Sequence, residues 1–325
     1  MKNTMTSASP SPSDHWSDYW SRGSLTSLPQ DFSANYDGEV AAFWKGAFSE
    51  LDDAGRMIDL CTGNGAIALL AAEYSASKKS DIEIVAVDAA TISPDAIAAK
   101  YPDQAELLKR IQFISDCKVE DIDLPGASFD LVSSQYGIEY CDWGKAANQV
   151  VRLLKPGGRL VMVNHTATSD IMQFMEQEHR EYSMLEKSGF FSAINGYLEN
   201  SIDFNGMRTI LVNLHRNLSR VLERGGTPLF RSVHSMLSGL LAMDQHKLEQ
   251  GRNHLEEYYG QTRYGFDRLI DMLRVNHAIQ SDDAWYRVFE LAGLELVESG
   301  EIRYRGQHHA GGFLIFEKPL ADGAG

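Results

Sequence analysis

The stretch Asp59-Leu60-Cys61-Thr62-Gly63-Asn64-Gly65, between GRMIDL (55–60) and AIALLAAEYSA (66–76), decides how this chain is read. The first flank is a short apolar run carrying an acid near its end, which predicts a strand. The second is apolar at helical spacing. Glycines between them let the backbone turn tightly and approach a ligand with no Cβ in the way. The N-terminus of the following helix offers main-chain N–H groups that lack helical partners. Open α/β sheets bind ligands at the carboxyl ends of their strands, which is where this loop falls.

Outward from the loop the same rhythm repeats. DIEIVAVD (81–88) predicts a second strand ending in Asp88, and Ser93-Pro94 opens a helix with proline at its tolerated first position. IQFIS (111–115) and FDLVSS (129–134) predict a third and a fourth strand. A helix over 143–154 stops at the turn signal KPGG, and RLVMVNH (159–165) predicts a fifth strand. Residues 169–280 hold only helical patterns, rich in Met, Leu, His and aromatic residues, whereas 281–306 read as helix, glycine turn and strand, and 311–320 as a last strand. The expectation is an α/β fold: a Rossmann-like, mostly parallel seven-stranded sheet with a C-terminal β-hairpin and an all-helical insertion after the fifth strand. The domain plan is a disordered tail over 1–14, an aromatic helical lid segment over 15–50, a sheet domain over 51–168 and 281–320, and a helical lid over 169–280. Met172, Met175 and Met184 read as core of that insertion.

Composition narrows the partners. The formal net charge is −15, which disfavours a phosphate backbone as partner. Cys61, Cys117 and Cys141 form no CxxC pair, which fits a reducing compartment. The first residues lack the apolar run of a signal peptide, and no stretch has the length of a membrane span. The expectation is a cytoplasmic, soluble protein with a small-molecule substrate, no nucleic acid and no membrane partner, and with a helical insertion able to serve as a homodimer surface.

A lone Gly-x-Gly is a weak signal. The dinucleotide fingerprint needs a third glycine where this chain has Ala68, and no Gly-Lys-Ser/Thr of a phosphate loop follows. Order raises the specificity. Asp88 stands about two dozen residues past the loop, the place for a carboxylate that accepts ribose hydroxyls. Asp116 follows the third strand, where it can accept from the exocyclic amine of adenine while the Cys117 N–H donates to a ring nitrogen. The bland readings are a cap or turn for Asp59, a solvated strand end for Asp88 and a surface residue for Asp116.

DLCTGNG, VAVD, FISDC and LLKPGGRLVMV in this order resemble the class I S-adenosylmethionine-dependent methyltransferases, over roughly 55–165 and 283–318. The resemblance implies S-adenosylmethionine as cofactor. It places Asp59, Gly63 and Gly65 along the methionine and ribose side, Asp88 on the ribose and Asp116 on the adenine. Cys61, Asn64, Ala89, Cys117, Ser134 and Gln135 fall in the same cofactor-lining set. Cys61 stands where the family commonly has glycine.

Candidates for chemistry follow the fourth and fifth strands. Tyr136, Glu139 and Tyr140 can orient an acceptor or take its proton, and His165 can act as base near neutral pH. Each can equally be a packing or hydrogen-bonding residue. Trp16, Tyr19 and Trp20 are the substrate-side aromatics. Glu176 and His179 mimic half a di-iron set whose second copy is missing, so no metal is expected, and His308-His309 reads as a strand-edge pair. The function expected is methyl transfer to a small or medium-sized organic acceptor. The rivals are an RNA or protein methyltransferase, a non-catalytic nucleoside- or partner-binding module and, more weakly, a nicotinamide dehydrogenase.

Overall fold

The computed structural model describes residues 14–27, 32, 34–166, 171–282, 284–306 and 308–320, so the tail reading over 1–14 lies, apart from Asp14, outside the described residues. Helices α1 (Asp14–Ser21) and α2 (Gly38–Phe48) precede the sheet. Alternation begins with β1 (Arg56–Leu60), α3 (Ala66–Lys78), β2 (Glu83–Val87), α4 (Pro94–Lys100), α5 (Ala105–Leu108) and β3 (Ile111–Ile114). It continues with β4 (Phe129–Gln135), α6 (Trp143–Leu153) and β5 (Leu154–Asn164). Six helices follow: α7 (Ile171–Lys187), α8 (Phe190–Leu198), α9 (Phe204–Leu222), α10 (Pro228–Leu241), α11 (Gln245–Gln250) and α12 (Arg252–Ser281). The chain then closes with α13 (Arg287–Leu291), β6 (Glu295–Tyr304) and β7 (His308–Glu317).

The seven strands run in the order β3-β2-β1-β4-β5-β7-β6. Strands β1 to β5 are parallel, and β7 joins β5 and β6 antiparallel. After β1 the chain winds outward to β3, then returns to lay β4 on the other side of β1. The crevice at the carboxyl ends of β1 and β4 is therefore the switch point where such sheets bind ligands.

Period-two alternation explains the apolar runs, since both faces are buried. Met57, Ile84, Ala86, Val161 and Val163 face one core with Trp44, Phe48 and Leu69. Ile58, Leu60, Val85, Val87, Leu160 and Met162 face the other with Leu153, Phe289 and Phe316. Alanines at 66, 68, 71 and 72 are buried on α3, bringing its axis close to the strands.

Two expectations are corrected. Helix α2 is a wall of the sheet domain and not part of a lid: Val40, Ala41, Trp44 and Phe48 form one stripe, and the last two are fully buried. Truncating either to alanine should cost about 3–5 kcal/mol. Lys155-Pro156-Gly157-Gly158 is not a free turn but an irregular stretch inside β5. Leu154 pairs with Phe129 and pairing resumes at Arg159 opposite Leu131, because proline and glycine interrupt a ladder. His308-His309 opens β7 and pairs there with Tyr304 and Arg303 of β6, whereas β5 joins β7 only from Gly312.

Residues 170–274 form a separate compact unit, with the division falling inside α12. Leu185, Phe190, Met207, Leu211, Leu218, Val233 and Leu237 make its core, and Met172 and Met175 are buried in it. Helices α9, α10 and α11 start on side-chain caps: Asp203 accepts from the Gly206 N–H, Thr227 from Phe230 and Asp244 from Lys247. Among the described residues no helix is long and apolar enough to cross a membrane.

Candidate active site

The loop after β1 is held from below by Asp59. Its carboxylate is buried and accepts from the Thr62 hydroxyl at 2.6 Å and the Ser133 hydroxyl at 2.7 Å, tying the loop to β4. Burial pushes this carboxyl up to about 7, against the two hydroxyls that lower it. Asp59 thus braces the loop from inside the fold. Cys61 has φ 55°, a left-handed backbone that glycine adopts at no cost and that a side chain rarely adopts. Its Sγ lies 3.7 Å from that of Cys141. Gly63 and Gly65 also have positive φ, and a Cβ would meet the Trp20 ring at 2.5 Å in one case and the Phe113 ring at 2.7 Å in the other. Asn64 is fully buried: its amide donates to the carbonyls of Trp20 and Ser24, both at 2.8 Å, and accepts from the Ser93 N–H. The loop therefore anchors the N-terminal segment.

Asp88, just past β2, spans the crevice edge. Its Oδ2 accepts from the Gly63 N–H at 2.7 Å and its Oδ1 from the Ala90 N–H at 2.8 Å. Burial pushes its carboxyl up to about 6, against those two donors. Ala89 links Asp88 to Ala90, and Ala90 and Ile92 pack with Trp20, Trp16, Tyr19 and Phe113 into a small apolar cluster. Trp20 therefore lies against the glycine loop, and only Trp16, whose ring centroid is 5.7 Å from that of Tyr140, reaches toward β4. Asp116 has φ 56° and accepts from the Thr91 hydroxyl at 2.7 Å. One expectation needs correcting: the Cys117 N–H, assigned to a ring nitrogen, donates to the Asp88 carbonyl at 2.9 Å. Main-chain hydrogen bonds thus continue past the ends of β2 and β3.

At the other end of the crevice, the Ser134 hydroxyl accepts from the Ile138 N–H and shapes the turn after β4. Gln135 Oε1 accepts from the Trp44 indole of α2, while its buried Nε2 has no partner. Tyr136 has φ 51°, and its hydroxyl donates to the Ala310 carbonyl of β7. Glu139 is buried; its Oε1 lies 2.7 Å from His165 Nδ1 and accepts the His165 main-chain N–H at 3.1 Å. The His165 ring stands between Tyr136 and Tyr140, at centroid distances of 5.1 and 6.0 Å. Sequence reasoning missed Thr62, Ser133, Trp44 and Asn164. The last ends β5, with both amide atoms buried and without partners. Nothing in their types or spacing marks them. Glu176 and His179 stand on α7, and among the described residues no three His, Cys, Asp or Glu side chains cluster as a metal site.

A family model described as "Methyltransferase domain" matches residues 51–293. An "uncharacterized methyltransferase YcgJ" of Bacillus subtilis is 27% identical over 187 residues, 54% of this chain and 67% of that protein. The demethylmenaquinone methyltransferase of Thermus thermophilus is 31% identical over 109 residues, 33% of this chain and 46% of its own length. Among solved structures, a phosphoethanolamine N-methyltransferase of Haemonchus contortus in complex with S-adenosyl-L-methionine aligns over 94% of this chain and 60% of that one, at 17% identity and a TM-score of 0.39.

Proposed function

The chain belongs to the methyltransferase-domain family, and we propose that it transfers a methyl group from S-adenosylmethionine to a small or medium-sized organic acceptor. The observation that supports this most is Asp88, a buried carboxylate at the end of β2 pinned to the main chain of the glycine loop.

The residues fit an adenosyl group. Each Asp88 oxygen accepts one main-chain N–H and keeps a lone-pair direction for a ribose hydroxyl. Gly63 and Gly65 hold the tight left-handed turns of the loop, where the Trp20 and Phe113 rings pack directly on the backbone. Ala90, Ile92 and Phe113 form an apolar floor suited to a flat base, which Trp20 covers in this structure, with Asp116 beside it. Bound there, S-adenosylmethionine supplies a methyl carbon already activated by its sulfonium charge. The chain's task is alignment and exclusion of water. Asp88 and the loop fix the nucleoside, and Trp16 and Tyr140 wall the crevice.

Calorimetric titration with S-adenosylmethionine and S-adenosylhomocysteine, beside NADH, tests the reading. Both sulfur nucleosides should bind, NADH should not, and Asp88→Ala should weaken binding about 100-fold, two charged hydrogen bonds at about 1.5–3 kcal/mol each less what water restores. Folded protein that binds neither sulfur nucleoside would remove the reading.

A further inference from the structure

Glu139 and His165 come from different elements, the 3-10 turn Ile138–Tyr140 after β4 and the residue following β5. Their union is tight. Glu139 Oε1 takes both the His165 main-chain N–H and the ring Nδ1, at 3.1 and 2.7 Å, and the Glu139 side chain has 0% exposure. An acceptor at Nδ1 selects the tautomer with its proton there and the lone pair on Nε2. Nε2 makes no hydrogen bond among the described residues, and the His165 side chain keeps 26% exposure. Three further polar atoms close by in the chain are buried without partners: Glu139 Oε2 and both amide atoms of Asn164. Buried polar groups are nearly always satisfied, so orphans beside an open imidazole mark a place built for something to arrive.

An aromatic wall joins this imidazole to the glycine loop. His165 faces Tyr140, Tyr140 meets Trp16 edge-on at 5.7 Å, Trp16 stacks on Trp20 at 6.4 Å, and Trp20 covers Gly63. The Tyr136 hydroxyl is engaged with the Ala310 carbonyl, and His165 is the imidazole that stands beside both Tyr136 and Tyr140. The other titratable groups around the pair are Tyr136, Tyr140 and the Cys61–Cys141 thiols, of which Cys61 feels the Glu139 charge.

We propose that His165 is the catalytic base and Glu139 its positioning residue, and that the acceptor is a flat, proton-bearing hydroxyl compound of the phenol or enol class. This rests on the methyltransferase reading above. The step balances: the acceptor's hydroxyl proton passes to His165 Nε2, the freed oxygen pair forms the new bond to the methyl carbon, and the carbon–sulfur pair stays on sulfur. Glu139 holds the imidazolium, which later gives its proton to water. A neutral amine attacks with its own lone pair and needs no such base; a hydroxyl is a poor nucleophile until its proton leaves. Rings of Tyr140, Trp16 and Tyr136 suit a flat acceptor.

The test uses protein loaded with S-adenosylhomocysteine and 4-nitrophenol as probe, at a pH below the probe's own pKa. The wild type should bind it as the coloured phenolate with no proton released to a weak buffer. His165→Gln should lower the phenolate band at least tenfold while S-adenosylhomocysteine affinity stays within twofold. Glu139→Gln should lower the band severalfold, and Glu139→Asp should restore part of it, which a merely structural role would not do. A probe that stays protonated, fails to bind, or keeps its band in His165→Gln overturns the dyad and leaves the methyltransferase reading standing. Failure of S-adenosylhomocysteine itself to bind would take both down.

Discussion

At the β1–β2 end of the crevice, Asp88 is fixed by main-chain donors and the loop from Cys61 to Gly65 by left-handed backbone. At the β4–β5 end, Gln135 is fixed by the Trp44 side chain of α2, and Glu139 and His165 by each other's side chains. The first end rests on backbone geometry, so short motifs mark it. The second depends on which strands become neighbours and on every partner being present. A single lost side chain there leaves a buried polar group unsatisfied, at about 1–3 kcal/mol.

The sharpest way to break this contrast is Gly63→Ala. With φ at 55° and the Trp20 ring 2.5 Å from the added Cβ, the loop or the N-terminal segment must shift. Affinity for S-adenosylhomocysteine should fall about 100-fold by calorimetry, combining about 1–2 kcal/mol of backbone strain with lost contact. An unchanged affinity would show that the loop does not hold the nucleoside.

A smaller effect comes from titrating Asp88. Its folded pKa is pushed to about 6, and only the ionised form accepts two ribose hydroxyls. Binding should therefore plateau above that value and weaken as pH falls through it, by about tenfold per pH unit, a change of one pKa unit being 1.36 kcal/mol. Asp88→Asn should bind more weakly and lose the pH dependence. A flat wild-type profile between pH 5 and 8 would detach Asp88 from the ligand.

The smallest effect tests Asp59, where the two ends meet through Thr62 and Ser133. Its folded carboxyl is raised to about 7 from 3.8, so its contribution to stability is fully present below about 4 and is lost as pH rises through 7. The wild-type melting temperature should drop more between pH 5 and 8 than that of Asp59→Asn, by several degrees at about 2–4 °C per kcal/mol. Equal slopes would show that the carboxylate is satisfied in its charged form.

The Asp88 position and the glycine loop could be read from the chain because a strand, a loop and a helix written consecutively must fold as neighbours. Asn64 shows the limit. It sits inside the most informative motif, yet its amide serves the N-terminal segment, because the carbonyls of Trp20 and Ser24, 40 or more residues away in the chain, reach it first. Cys117 shows it again, its N–H drawn to the Asp88 carbonyl by pairing between strand ends.

By itself the sequence determined the alternation of strands and helices, the interruption by helices alone, and the acid at the end of β2. Those signals have periods of two and of about 3.6 residues, and they are properties of short backbone segments. Only the tertiary structure decided that α2 belongs to the core, that Gln135 meets Trp44, and that Glu139 grips His165. Partner choice between side chains is fixed by strand order and by the burial that forces each polar group to find a donor or acceptor, and neither is written at any one position in the chain.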